Sequence, residues 1–373
     1  MVSLHEVILY VILMMPVSTL FVNQSVSNKV LFFLSMLALS LVLIRRMTRG
    51  ALALFFLLIM ELAISLGIGG TLSFYNPNDI FYLPQWVLLC TYFAGYLEVF
   101  CSRTARHFQL LRGSVYLWEI AFLFLRIFSP AMQEDFAHRT ASSAFLILVM
   151  VWYCGRMSRN TKFYLHMLLP FWAILSLQVR TYFVLSLAVV CMAYYSIFKR
   201  KAYFFFTVIP LGVAVLFVLL QTAIGSRFTD LTESYYGGVL ATLTSSRSVF
   251  WAADLRAFWD ASLFYKLFGN GYNFIYDLNN MVVKTPIWGH NDLIHILVTN
   301  GLLGVSIYLG AAFGLLRKVV LRFHPDKTLF RLALAALVFC ALFDGLYHYT
   351  CTLYTVPFLL GACRKEEGGL GKK

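Results

Sequence analysis

Trp288-Gly289-His290-Asn291-Asp292-Leu293-Ile294-His295-Ile296-Leu297-Val298-Thr299-Asn300-Gly301-Leu302-Leu303-Gly304 decides how this chain is read. The first five residues close a long polar segment. From Leu293 to about residue 316 the sequence is then apolar over the ~20 helical residues that a bilayer core requires. A histidine at the mouth of such a helix, beside a loop rich in arginine and tryptophan, is where a membrane enzyme would handle protons.

The rest of the chain agrees with a membrane setting. Of its 373 residues 60% are hydrophobic and only 13% charged, against roughly 25% charged in soluble domains. Mean hydropathy is +0.77. Apolar segments fall near 4–22, 30–44, 50–69, 86–101, 113–128, 140–154, 163–179, 181–198, 203–222, 293–316, 331–346 and 350–362. The expectation is an all-α polytopic membrane protein of about 12 transmembrane helices with one large outer loop. It divides into an N-terminal transmembrane bundle (1–222), an external loop carrying an amphipathic helix (223–289), and C-terminal spans with a short tail (290–373).

The net charge of +13 would suit nucleic acid, but its placement argues otherwise. Most of the Lys and Arg gather at Arg45-Arg46-Arg49, Arg103-Arg106-Arg112, Arg156-Arg159-Lys162, Lys199-Arg200-Lys201, Arg317 to Arg331 and the tail from Arg364. These clusters occupy every second gap between apolar segments, which is the positive-inside pattern. It predicts cytoplasmic termini, an outward-facing 223–289 loop, and no nucleic-acid partner. The leader Met1 to Glu6 lacks Lys and Arg, so the first span does not read as a cleavable signal. The seven cysteines, none in the external loop, form no C-x-x-C and suggest neither a disulfide staple nor a zinc site.

Within the loop, Ser245-Ser246-Arg247 looks like a helix start with serine as cap. An amphipathic helix follows through Phe250-Trp251, Leu255, Phe258-Trp259 and Leu263-Phe264, of the kind that lies along a membrane surface. Gly269-Asn270-Gly271 ends it, and a loop from Tyr272 to Gly289 containing Pro286 leads back to His290. His290 and His295 are five apart, so no H-E-x-x-H helix is present.

Three segments resemble the superfamily of O-antigen polymerases and O-antigen ligases. His290-Asn291 with Gly301 and Gly304 is similar to its His-Asn/Gly-x-x-Gly element. Ser245-Ser246-Arg247 through Trp251, followed by Gly269-Asn270-Gly271-Tyr272, resembles its S-x-R-x-x-x-W and G-x-G-[FY] segments. Leu177-Gln178-Val179-Arg180-Thr181 stands where the family often has an S-R-G-like turn, without the Ser and Gly. The resemblance covers roughly the C-terminal half. It implies a lipid-carrier glycosyltransferase at the outer face of the bacterial inner membrane, with donor and acceptor glycans on undecaprenyl diphosphate and a chain-length regulator and flippase as associated proteins. Polymerisation of repeat units is preferred; ligation to lipid A-core is the alternative, and a transporter or flippase the second.

Each candidate residue also has a plainer role. His290 is either the general base for a sugar hydroxyl, as a near-neutral imidazole suits, or a capping histidine. Arg180 and Arg247 either hold a diphosphate, or serve as a snorkelling interface arginine and an ordinary first-turn cation. Asn291 and Arg256 are secondary: Asn291 can simply cap the helix, and Arg256 can pair with Asp260 four residues on. Gly301 and Gly304 read as small residues for close helix packing. No D-x-D occurs in the outer segments, Glu134-Asp135 being the nearest approach. A metal-independent reaction without a cofactor is therefore expected.

Overall fold

The computed structural model describes residues 4–21, 49–69, 75, 79–102, 104–128, 137–198, 202–207, 210 and 247–365. The apolar segment at 30–44, most of 203–222, the Ser245-Ser246 cap, the Glu134-Asp135 pair and the end of the tail lie outside them. The described residues are all-helical, with no strand. Four helices are long and apolar enough to cross a membrane. They are α3 (Asp79–Phe100), α5 (Ala137–Met157), α7 (Arg180–Ile197) and α11 (Asp292–Lys318), the last prolonged by a π-helical turn to Phe323.

The helices α1 (Leu4–Phe21), α2 (Arg49–Gly69), α4 (Ala105–Phe128) and α6 (Leu168–Ser176) complete the N-terminal half. Then come α8 (Arg247–Asp260), α9 (Leu263–Phe268) and α10 (Phe274–Val283), and after α11 the pair α12 (Lys327–Phe343) and α13 (Thr350–Ala362).

Helix α5 is the axis of the bundle, buried over nearly its whole length and packed on α1, α4, α6, α7 and α13. Its start is built of small residues, Ala141, Ser142, Ser143 and Ala144, which let neighbouring backbones approach. Ser143 Oγ donates to the Thr140 carbonyl at 2.8 Å and accepts from Trp118 Nε1 at 3.2 Å, so the polar atoms are satisfied inside the bundle. On the facing helix, a side chain at Gly361 would run into Cys101 and Tyr153.

The two ends of α5 differ in chemistry. At its C-terminal end Arg156 donates to the Arg364 carbonyl, and Arg364 lies over the Phe323 ring, so basic residues distant in sequence meet there. The other end, about 30 Å away at 1.5 Å per residue, carries His138 and faces α8, α11 and the α12–α13 turn.

The segment 247–289 departs from its expected form in two places. The amphipathic helix breaks at Ala261-Ser262, so α8 and α9 are separate. Residues 272–289 are not all loop, because α10 occupies most of them: Ile275, Tyr276 and Asn279 recur at helical spacing and are buried. Pro286 falls beyond its end, where proline is tolerated.

Helix α11 is kinked at Gly301, whose φ of 66° and ψ of −167° are open essentially only to glycine. The kink frees carbonyls that the glycine turn after α9 takes up: Asn270 N–H donates to Val298 O at 2.9 Å and Gly271 N–H to Thr299 O at 3.1 Å. A Cβ on Gly301 would stand 2.5 Å from Gly269 N and Leu267 O. Just inside the kink, Asn300 Nδ2 donates to Glu61 Oε1 at 2.5 Å and to Tyr272 Oη at 3.1 Å, tying α2 and the loop ahead of α10 to α11.

Candidate functional site

The site is built at the C-terminal end of α12. Asp344 caps that helix, its N–H and that of Gly345 both returning to the Cys340 carbonyl. Gly345 follows at φ 86°, where a side chain would strike the Trp288 ring. This is a glycine C-cap, and it holds a carboxylate where the helix dipole disfavours one. The Arg247 guanidinium answers that cost. Asp344 is fully buried, and its Oδ1 lies 3.3 Å from Arg247 Nη2, 3.7 Å from His138 Nδ1 and 3.9 Å from His290 Nδ1.

Each partner arrives on a different element. Arg247 begins α8, His138 stands in the first turn of α5, and His290 precedes α11. The turn after Asp344 is pinned by Asp292, whose Oδ2 accepts from Leu346 N at 2.8 Å and Tyr308 Oη at 3.0 Å. Asn291 Oδ1 accepts from Ile294 N at 3.1 Å and is the N-cap of α11. Between these anchors His290 takes a φ of 48°, unusual for a residue with a side chain and typical of positions held by their surroundings.

An aromatic layer covers the cluster. Trp288 stacks on His348 with centroids 3.9 Å apart and planes 1° from parallel, and lies 4.5 Å from the His290 ring. Trp251 on α8 donates from Nε1 to the Gly289 carbonyl at 2.5 Å. Beneath, Gly289 N–H donates to His295 Nδ1 at 3.5 Å, and His295 Nε2 is 4.0 Å from Asp79, which also accepts from Tyr276 Oη.

Burial holds the His290 imidazole well below its ordinary pKa, with Arg247 the next cause and His138 after it. Burial likewise lowers His348, helped by His295 and Arg139. Both rings are neutral near pH 7, the form that accepts a proton. Asp344 Oδ2 and the Nδ1 atoms of His138, His290 and His348 are buried and find no hydrogen-bond partner among the described residues. These four unmet polar atoms, beside the Arg247 guanidinium, form a site with capacity for a polar ligand. Among the described residues no group of three His, Cys, Asp or Glu is arranged to hold a metal ion.

Of the residues singled out from sequence, His290 and Arg247 meet on Asp344. Arg180 opens α7, half-buried, after a left-handed turn at Gln178 (φ 56°). Two residues on, Tyr182 is bonded to Thr352 Oγ1 at 2.7 Å and its ring meets Tyr349 at 6.3 Å. Arg180 therefore belongs to the same end of the bundle, though the ion contacts of Asp344 do not include it. Arg256, nine residues beyond Arg247 and so half a turn round α8, is exposed and stands apart from the cluster.

Sequence reasoning missed Asp344, His138, His348 and Trp288 as site residues. One signal was available: Asp344 is the only acidic residue between Asp326 and Glu366, and an ionisable group isolated in apolar sequence is a functional candidate by default. Comparison with protein-family models and with curated proteins finds no match to the chain.

Proposed function

We propose that this protein is a metal-independent glycosyltransferase that polymerises undecaprenyl-diphosphate-linked oligosaccharide repeat units at the outer face of a bacterial inner membrane. The observation that carries the reading is the convergence of His290 and Arg247 on one buried carboxylate, ahead of a helix able to cross a membrane. In this reading the chain makes about twelve spans with both termini in the cytoplasm, and 223–289 is its outer loop. Chain-length regulator and flippase proteins are its neighbours in the membrane.

A glycosyl diphosphate is already activated, so the enzyme has two tasks. As the bond from the donor sugar's C1 to the diphosphate oxygen breaks, Arg247 and Arg180 hold the departing diphosphate with planar, multidentate donors. As the new bond from C1 to the acceptor oxygen forms, His290 takes the acceptor's hydroxyl proton. Asp344 orients His290 and offsets the imidazolium that results, the part a buried carboxylate plays beside other catalytic histidines. The neutral state of His290 supports this assignment. So does the exposed apolar surface of α8 and α9, where Trp259, Leu263 and Phe264 stand out from the fold and suit a membrane interface.

The test is direct. Purified protein in lipid, given lipid-linked repeat units, should yield a ladder of longer glycans on the lipid carrier. Transfer only to lipid A-core, or movement of the donor across the bilayer with no change in length, would replace this reading.

A further inference from the structure

We propose that the cavity between the start of α1, the end of α3 and the start of α4 binds a zwitterionic phospholipid, holding the phosphate and primary ammonium of a phosphoethanolamine headgroup. The cavity lies at the end of the bundle away from Asp344, so the glycosyltransferase reading is not involved.

Contacts with α5 and α13 fix its place. The His107 ring meets Tyr153 at 6.1 Å, and Cys101 Sγ donates to the Pro357 carbonyl at 3.9 Å. Tyr153 is one turn from Arg156, which reaches the Arg364 carbonyl at the C-terminal end of α5. Helix α3 is long and apolar enough to cross a membrane, so its last residues, Val99 and Phe100, fall where the headgroups of a bilayer would stand. The cavity holds about 360 Å³. That is near the lower bound for ligand sites and suits a headgroup better than a glycan repeat.

Leu9, Val99, Phe100 and Leu110 line the apolar side. The polar side carries both signs of charge: Arg106 Nη1 lies 3.0 Å from Glu6 Oε1, the two side chains being 61% and 30% exposed. The other terminal nitrogen, Nη2, reaches Tyr10 Oη at 3.5 Å, the outer limit of a hydrogen bond. A phosphate oxygen would be a stronger acceptor for it.

Helix α4 also begins here. Thr104 Oγ1 accepts from His107 N–H at 3.2 Å, and the Thr104 carbonyl accepts from Phe108 N–H at 3.2 Å. The amides of Ala105 and Arg106, in the first turn, have no acceptor within the helix, and phosphate is a common guest at such a terminus. His107 independently calls for a ligand. It lines the same cavity, is 4% exposed, and its Nε2 has no hydrogen-bond partner among the described residues. Donating from that nitrogen to a phosphate oxygen would satisfy it.

Charge selects the rest of the ligand. Glu6 and Arg106 sum to zero, so a ligand that is only anionic meets a repelling carboxylate beside the guanidinium. A primary ammonium next to the phosphate makes Glu6 a partner instead. Its N–H donors serve a carboxylate as the methyl groups of a quaternary ammonium do not. The apolar side then takes the start of the acyl chains.

The experiment uses the full chain in detergent micelles, with the binding of single lipids read by native mass spectrometry. Phosphatidylethanolamine, phosphatidylcholine and phosphatidylglycerol with the same acyl chains are titrated against the unaltered protein, Arg106→Gln, Glu6→Gln, His107→Phe and the exchanged pair Glu6→Arg with Arg106→Glu. Melting temperatures are taken on the same samples. The unaltered protein should bind phosphatidylethanolamine at least about tenfold more tightly than the other two lipids, as one charge-assisted hydrogen bond contributes. Arg106→Gln should lose about tenfold for that lipid, and Glu6→Gln should erase the preference over phosphatidylcholine. His107→Phe should bind it more weakly yet melt no lower, because an unmatched buried nitrogen has been removed. The exchanged pair can keep its ion pair, so a bridge that is only structural would restore both melting and lipid preference. A carboxylate at the α4 terminus should instead take the place of the phosphate and leave lipid binding lost. Equal affinity for the three lipids, unchanged binding by Arg106→Gln or His107→Phe, or a preference restored in the exchanged pair overturns the proposal. Glycerophosphoethanolamine, the headgroup without acyl chains, is the last probe. Failure to displace the lipid even in large excess supports a lipid site, and binding as tight as the lipid's overturns it in favour of a soluble phosphoester.

Discussion

Removing the Asp344 carboxylate should undock α8 before it unfolds anything else. Asp344 is fully buried, and its Arg247 partner is 14% exposed. Deleting one member of a buried pair typically costs about 3–5 kcal/mol, because the other charge is stranded. Here the contact is a single one at 3.3 Å rather than bidentate, and Arg247 keeps a little access to water. The lower end, about 3 kcal/mol, is therefore expected for Asp344→Ala. Asp344→Asn retains an acceptor oxygen without the charge and should lose about half as much. Because α8 is otherwise held by Trp251 on Gly289 and by the buried Phe250 and Phe258, the loss should appear locally. Hydrogen exchange of the 247–260 amides in lipid measures it as the free energy of α8 opening. A double-mutant cycle with Arg247→Met isolates the pair, and a coupling of about 1.5–3 kcal/mol is expected from residues in direct contact. Effects that simply add to within about 0.5 kcal/mol, or unchanged α8 protection in Asp344→Ala, would refute the reasoning.

Three further outcomes follow from the same geometry. Asp254 is buried with both oxygens unpartnered among the described residues, and burial raises its carboxyl from 3.8 to about 8; the folded state thus holds a proton that the unfolded state releases. Its favourable contribution is full below about pH 3.8 and is lost progressively up to about pH 8, so the stability gained by Asp254→Asn over the unaltered protein should grow from its smallest value near pH 3.8 to its largest near pH 8, and a stability difference that does not change across that range would contradict this. Gly301→Ala should cost several kcal/mol through its positive φ and the approach of Leu267 and Gly269, while Gly310→Ala, whose nearest neighbour would be Leu54 at 3.7 Å, should be tolerated; melting temperatures in detergent separate the two. Arg180→Lys and Arg247→Lys should each lose at least tenfold in polymer formation, since lysine lacks the planar fork, and EDTA should leave the unaltered protein active; a strict requirement for magnesium or manganese would remove the metal-free mechanism.

The all-helical, membrane-compatible character was legible because long apolar runs are a one-dimensional signal. The four spanning helices of the structure each coincide with an apolar segment of the sequence. Helix α10 was not legible, since Tyr272 to Gly289 is rich in Asn and ends in proline, and its buried face becomes visible only against α8 and α11. Gly301 reads from sequence as a packing glycine, and the structure adds a backbone reason that no spacing reveals. In the site, His290 and Arg247 could be named from their segments, but what joins them could not. Asp344 lies 54 residues beyond His290 and His138 precedes it by 152, and such contacts exist only once α5, α8, α11 and α12 pack at one end of the bundle. Arg256, secondary from its sequence because it can pair with Asp260, is exposed on α8, half a turn from Arg247.

The central claim is that His290 performs proton chemistry in glycan polymerisation, and one comparison tests it most directly. Unaltered protein and His290→Ala, purified to the same yield and the same melting temperature in lipid, are given lipid-linked repeat units, and glycan length is read on a gel. The account predicts a ladder from the unaltered protein and a loss of about 10²–10⁴-fold in the variant, the usual contribution of a positioned acid–base group. A ladder of near-normal length and rate from His290→Ala would contradict it, and would reduce His290 to a residue that shapes the entrance of α11.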